Sequence, residues 1–224
     1  CAAIVPKNKY ELSSCAKINL IIDENIIRLA EEFYIPLIYS SSTSVYGNDT
    51  SFIFSEECKT DPKNFYSDAK LKSELNIEKR IEKGTVLRIS SPYGGGSTST
   101  NILNLLIDAT KKGTEIILYN EQRSQYFIHA DDIAKAFLQS HTREGKNYEI
   151  FNVVSEKATT TYELYRIFEK YMKNSTIAHF NHSLNTLENE YQPEIPNNKA
   201  KHLLSWSPKI TLEKGIAELF RNSV

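Results

Sequence analysis

Tyr66 and Lys70 lie four residues apart in a stretch of helical periodicity, so their side chains share one face of a helix. An ammonium beside a phenol favours the phenolate, which makes a usable base near neutral pH. The same spacing suits a plain surface pair, and a chain with 13 tyrosines produces it by chance. Upstream, Ser40-Ser41-Ser42-Thr43-Ser44 sets a row of hydroxyls directly after an apolar run. At the carboxyl end of a buried strand such a row can hydrogen-bond a substrate hydroxyl, and it also reads as an ordinary polar turn. Other chemistries find less support. None of the eight glycines falls into G-x-G-x-x-G, and Cys1, Cys15 and Cys58 have no metal-ligand spacing. His179 and His182 fall in residues 174–198, which contain no Lys or Arg and read as loop.

The elements that position these groups follow from apolar periodicity. Residues 11–34 read as a helix with Ile22, Ile26, Leu29, Ala30 and Phe33 on its inward stripe. Ile35 to Tyr39 is too short for a helix and apolar throughout, as a strand buried on both faces would be. After a polar loop, residues 65–83 form the helix carrying Tyr66 and Lys70, with Leu71, Leu75 and Ile81 inward. Thr85 to Ile89 is a second buried strand, followed by a flexible connection through Ser90-Ser91-Pro92-Tyr93 and a triple glycine. A helix over 101–112, a short strand at 115–118 and an extended run at 126–129 come next. Asp131-Asp132 caps a helix to about Ser140, 148–154 is a third core strand, and Thr160 or Thr161 caps a further helix. Short helices at 198–205 and 211–221 flank Trp206 and Pro208. Strands alternating with helices predict an α/β fold with a doubly wound parallel sheet. The order of strand, hydroxyl row, loop, Tyr/Lys helix and strand lifts the Tyr66/Lys70 spacing above chance.

With 224 residues and a formal net charge of −1, the chain has enough length for a real core and no electrostatic footprint for nucleic acid or an anionic membrane. No apolar run approaches the roughly 18 residues that span a bilayer, and three unclustered cysteines suit a reducing, cytoplasmic compartment.

Six segments, taken in order, resemble the extended short-chain dehydrogenases/reductases of the NAD-dependent sugar-nucleotide epimerase/dehydratase group. Cys1-Ala2-Ala3 resembles the end of its H-x-A-A strand, and Ile38 to Gly47 its V-Y-x-S-S-x-x-V-Y-G segment. Tyr66 to Lys70 matches Y-x-x-x-K, and Val86 to Gly94 is similar to L-R-x-x-N-x-Y-G. Phe127 to Ala134 resembles Y-I-H-V-D-D-x-A, and Ala200 to Ile216 resembles the terminal A-K-x-x-L-G-W-x-P pattern with its following L-x-x-G-I. The resemblance implies a Rossmann-like sheet with a smaller C-terminal substrate-binding lobe. It places the partial Rossmann core at 1–93 and 123–155 and the lobe at 94–122 and 156–224. Ser42 takes the position of the catalytic Ser/Thr, Tyr66 that of the acid/base, and Lys70 that of the group binding the nicotinamide ribose. NAD, or NADP, is the implied cofactor, at Ala3, Ser40, Tyr66, Lys70 and Pro92. A nucleotide-sugar is the implied substrate, at Ser42, Ser91, Asn101, Arg123 and Gln125. A homodimer through the helices at 11–34 and 65–83 is implied for the full-length form.

The departures from the family pattern carry expectations of their own. The glycine-rich β-α-β unit that grips the dinucleotide pyrophosphate would lie upstream of Cys1, so the chain reads as a fragment or truncated relative that holds NAD weakly and turns over little. Joining such a unit to it is expected to restore both. The family His before Ala-Ala is Cys1, the Asn of R-x-x-N is Ser91, and the Gly before the terminal Trp is Ser205. The diphosphate-gripping Arg of the family is Gln125, with Arg123 two residues upstream. Thr43 and Ser44 stand where the 4,6-dehydratases carry Asp-Glu, and Ser44 where decarboxylases carry Glu. An epimerase working through a transient 4-keto sugar is the leading expectation. A keto-sugar reductase of the same fold, or a non-catalytic homologue, is the alternative.

Overall fold

A computed structural model describes residues 11–47, 53–94, 102–143, 147–172, 178–181 and 193–221. In chain order the elements begin with α1 (Leu12–Glu32), β1 (Leu37–Ser42), α2 (Phe65–Arg80), β2 (Gly84–Ile89), β3 (Ser91–Tyr93) and α3 (Ile102–Lys112). They continue with β4 (Ile116–Tyr119), β5 (Ser124–Gln125), β6 (Phe127–His129), α4 (Ala130–Thr142), β7 (Glu149–Val153) and β8 (Thr159–Thr160). The last are α5 (Thr161–Glu169), β9 (Ala178–Asn181), α6 (Asn198–Leu203) and α7 (Leu212–Arg221). Two compact units result, Cys1–Ser90 with Ala134–Val153 and Ile195–Ser207, and Ser91–Ile133 with Val154–Glu194 and Pro208–Val224.

The first unit is built on a parallel sheet of order β1-β2-β7, with Ser42 beside Ile89 and Ile89 beside Val153. All six residues of β2 are buried, as a central parallel strand requires. The Rossmann-like α/β reading holds, and β1 runs three residues beyond the expected Tyr39, carrying Ser40 to Ser42 within the strand. α2 packs on this sheet through Ala69, Ser73, Glu74 and Ile77. Its start is fixed by a capping box, Asn64 accepting from the Ser67 N–H at 2.9 Å while Ser67 Oγ accepts from the Asn64 N–H at 3.3 Å. Arg80 closes its other end, pairing with Glu24 and Glu31 of α1 at 2.6 and 2.7 Å.

Three local expectations need correction. α1 buries Cys15, Ala16, Ile27 and Ala30, while Ile26, Leu29 and Phe33 are exposed. The helix is apolar on more than one side, so its periodicity does not single out the side that meets the sheet. In α2, Leu75 is exposed and the polar Ser73 and Glu74 are inward, because buried partners satisfy them. Ser91 to Tyr93 is a strand rather than a flexible connection, pairing in parallel with Phe127 to His129.

The second unit gathers Tyr93, Leu103, Leu106, Leu118, Phe127, Leu164, Phe168 and Ile216 into one core. Gly215 sits where a Cβ would come within 2.3 Å of the Tyr93 hydroxyl, so this contact needs a residue without a side chain. Thr160 is the cap of α5, in a capping box with Glu163. Asp131 and Asp132 fall inside the first turn of α4 rather than capping it. Buried Asp132 instead accepts the backbone N–H groups of Lys209 and Ile210 at 2.9 and 2.8 Å, anchoring the segment before α7. Among the described residues no helix is long and apolar enough to cross a membrane.

Ser205, which stands where the family pattern has glycine, adopts φ +52° just after α6. Trp206 N–H reaches back to Ala200 O at 3.2 Å across that turn, and Gln139 donates to Ser205 O at 3.0 Å. A left-handed backbone strains a β-carbon and leaves glycine at ease. Ser205→Gly is therefore expected to raise the unfolding free energy by about 0.5–1 kcal/mol, read from denaturant midpoints. A lower midpoint would show that the turn is not strained.

Candidate active site

Ser40 and Ser42 reach the site because β1 extends to its carboxyl end before turning. Ser42 caps the single 3-10 turn Thr43–Tyr46 that follows, accepting from the Ser44 N–H at 3.2 Å and the Ser44 hydroxyl at 2.9 Å. With its acceptor sites occupied by Ser44, Ser42 keeps its own O–H to donate outward. The turn ends at Gly47, where φ is +70° and a Cβ would lie 1.8 Å from Asp61 O, so only glycine lets the returning loop close here.

Tyr66 and Lys70 come from the first turns of α2, on the face toward β1. The Tyr66 hydroxyl lies near enough to the Ser42 side chain for Ser42 to act on its titration. Although 43% of the residue is exposed, its hydroxyl end is drawn out of water. That desolvation raises the Tyr66 pKa above the usual phenol value; Ser42 opposes the rise and Asp23 adds to it. Lys70 Nζ donates to Ser40 O at 2.8 Å and lies 4.6 Å from the Tyr39 ring centroid and 5.9 Å from that of Tyr66. Burial lowers its pKa, against the charges of Asp23 and Glu74. The expected lowering of the Tyr66 pKa by Lys70 is not what this structure gives: desolvation raises it, and the influence that opposes the rise comes from Ser42 rather than Lys70.

Beneath this group runs a buried polar network. Glu74, one turn after Lys70, pairs with Arg88 of β2 at 2.7 Å and accepts from the Ser41 hydroxyl of β1. Arg88 also donates to Glu56 O at 3.3 Å and stacks on Tyr46, whose hydroxyl donates to Asn152 of β7 at 2.7 Å. The Asn152 N–H in turn donates to the Glu56 carboxylate at 2.8 Å. Burial raises the Tyr46 phenol to about 12, against the pull of Arg88. Burial likewise raises the Glu56 carboxyl. The network ties α2 to all three strands of the sheet and so fixes the height of Tyr66 and Lys70 above β1.

The structure thus brings Ser40, Ser42, Tyr66 and Lys70 together in the first unit. Pro92, Ser91, Gln125 and Arg123 belong to the second. There Ser91 Oγ donates to Gln125 Oε1 at 3.3 Å, linking β3 to β5. Pro92 lies in β3 opposite Ile128. Arg123 has an exposed side chain, and its backbone carbonyl accepts from the Thr161 N–H at 2.8 Å. Ala3 and Asn101 lie outside the described residues. Sequence reasoning missed Asp23, Glu74 and Arg88. A charged residue inside the otherwise apolar run Thr85 to Ile89 was the available signal for Arg88, since a buried guanidinium demands a buried carboxylate. It also missed a cavity of about 490 Å³ in the second unit, lined among others by Phe127, Thr159, Tyr162, Arg166 and Lys209.

Known proteins share this fold. A UDP-glucose 4-epimerase from Thermotoga maritima superposes with a TM-score of 0.81 at 22% identity, covering 100% of this chain and 76% of that one. A UDP-N-acetylglucosamine 4-epimerase from Bacillus cereus gives 0.82 at 22% identity, with 100% and 76% coverage. By sequence, a dTDP-L-rhamnose 4-epimerase of Burkholderia thailandensis is 26% identical over 146 residues, 60% of this chain and 38% of the relative. The chain spans 42, 60 and 38% of the lengths of three curated relatives it matches. The family model for the NAD dependent epimerase/dehydratase family matches residues 2–153, which include β1, α2, β2 and the whole Ser42, Tyr66 and Lys70 group. The chain belongs to the NAD dependent epimerase/dehydratase family.

Proposed function

We propose that this protein is an NAD-dependent 4-epimerase of nucleotide sugars, acting at Ser42, Tyr66 and Lys70. The observation that carries this reading is that Ser42, Tyr66 and Lys70 meet beside Ser40 O, with Ser44 occupying the acceptor sites of Ser42 and leaving its O–H to donate. Two hydroxyls so placed can engage one sugar oxygen. The residues present fit the cofactor: the Lys70 ammonium has three donors, Ser40 O takes one, and the others suit a pair of ribose hydroxyls. When bound, NAD would supply the acceptor for a hydride from the sugar C4, and its positive charge would favour loss of the Tyr66 proton against the desolvation seen here. As phenolate, Tyr66 takes the proton from the C4 hydroxyl while Ser42 donates to the same oxygen as its bond to carbon gains double-bond character. After the keto sugar presents its other face, C4 would regain the hydride and Tyr66 returns the proton to that oxygen. Lys70 holds the phenolate's charge in place throughout.

The choice of epimerase over dehydratase is supported by Thr43 and Ser44, which offer no carboxylate for eliminating water. The two solved 4-epimerases and the dTDP-L-rhamnose relative support position 4. A keto-sugar reductase is the second reading, favoured by the raised Tyr66 pKa, which suits a proton donor. We also propose a homodimer with α1 and α2 at the contact. Ile21, Leu29 and Phe33 on α1 and Phe65 on α2 are exposed apolar side chains that burial would stabilise. The free thiols of Cys15 and Cys58 accord with a cytoplasmic setting.

Ser42→Ala tests the observation directly. It is expected to lower kcat by about 10²–10³-fold, the usual cost of losing one donor to a developing oxyanion, with NAD affinity by calorimetry unchanged. A kcat within twofold of the parent would remove Ser42 from the mechanism.

A further inference from the structure

Asp23 sits midway along α1, a helix that contributes none of the residues assigned above. Its carboxylate accepts from the Tyr39 hydroxyl of β1 at 2.6 Å and from the Ser73 hydroxyl of α2 at 2.7 Å. Those two bonds stitch α1 to the strand and the helix that carry the catalytic group. A hollow of about 20 Å³, room for a single water, is lined by Asn19 and Asp23 of α1 together with Tyr66 and Lys70 of α2. The Tyr39 ring links the two sides of this arrangement. Its hydroxyl is bonded to Asp23, and its face carries Lys70 Nζ at 4.6 Å from the centroid. A carboxylate accepting from a phenol pushes electron density toward the ring, which strengthens the attraction of an ammonium above it.

We propose that Asp23 is a positioning residue that sets the charge state of the Tyr66/Lys70 pair, its carboxylate being the counter-charge that keeps Lys70 an ammonium and Tyr66 a phenol in the resting protein. This rests on the reading of Tyr66 and Lys70 as the proton-transfer pair. The directions of titration agree. Burial lowers the Lys70 pKa, and Asp23 is the first charge that raises it again, followed by Glu74. Burial raises the Tyr66 pKa, and Asp23 raises it further against the influence of Ser42. Among the described residues, the other titratable groups facing this region are Cys15 on α1, Tyr39 on β1 and Glu74 on α2. Glu24 and Glu31 of α1 are engaged with Arg80.

The test reads Tyr66 ionisation as ultraviolet difference absorbance at the phenolate band, taking the 224-residue chain minus its Tyr66→Phe variant. Asp23→Asn is expected to lower the Tyr66 midpoint by about one pH unit. Tyr39→Phe removes a hydrogen bond to Asp23 but leaves its charge, so it should not reproduce that fall; a purely structural role would make the two variants behave alike. Should Asp23→Asn fail to fold, Asp23→Ser keeps an acceptor without the charge and carries the same expectation. An unmoved midpoint overturns the assignment of Asp23 even where Tyr66→Phe is inactive. A moved midpoint alongside a fully active Tyr66→Phe supports the charge coupling and overturns only the proposed function.

Discussion

Tyr66→Phe is expected to lower epimerase turnover by about 10²–10⁴-fold with NAD affinity unchanged. The substitution removes one oxygen and little else. The ring stays beside Lys70, which lies 5.9 Å from its centroid, and Lys70 keeps its bond to Ser40 O. What is lost is the group that exchanges a proton with the sugar oxygen, while Ser42 keeps its bonds to Ser44. Steady-state rates and calorimetry on the same preparation separate these effects. A variant retaining more than a tenth of parent activity would show that another group moves the proton.

Breaking the Glu74–Arg88 pair is expected to cost about 3–5 kcal/mol of stability, a fall in Tm of roughly 6–20 °C. Both side chains are almost wholly buried, at 2 and 4% exposure. Burial disfavours the Arg88 charge, and the hydrogen bonds and charge of Glu74 more than offset it, holding the guanidinium ionised. Glu74→Ala leaves that cation without its counter-charge and leaves the Ser41 hydroxyl without its acceptor. Arg88→Ala strands the carboxylate in the same way. The double variant Glu74→Ala/Arg88→Ala is expected to lose less than the two single losses combined, because neither charge is then left alone. Additive losses in thermal or denaturant unfolding would show that the pair contributes no coupling. Since Glu74 follows Lys70 by one helical turn, either single variant should also lower turnover at temperatures where the protein remains folded.

Much of this arrangement was legible in the residues themselves. The short apolar runs around Leu37 and Val86 could be nothing but buried strands, and the four-residue spacing of Tyr66 and Lys70 put both on one helix face before any coordinates. Ser42 was legible as a hydroxyl at a strand's carboxyl end. The buried face of α1 was not, because Ile18, Ile21, Ile26, Leu29 and Phe33 make the helix apolar well beyond the side that meets the sheet. Asp132 looked like a helix cap, yet its carboxylate serves the backbone of Lys209 and Ile210, a partner 77 residues away that local pattern does not reach. Asp23 gave no signal either. Its partners Tyr39 and Ser73 come from two other elements, and only the packing of α1 on β1 and α2 shows that one carboxylate serves both. Ser205 was legible as a departure from a pattern, and its meaning came from the backbone, at φ +52°.

Following one labelled atom through the reaction tests epimerisation at C4. The protein, saturated with NAD, is given UDP-galactose carrying deuterium at C4. The expected product is UDP-glucose with inverted configuration at C4 and the deuterium still on that carbon, because the hydrogen leaves and returns without meeting solvent. Deuterium exchanged into water, or a product lighter by one water molecule, would contradict it.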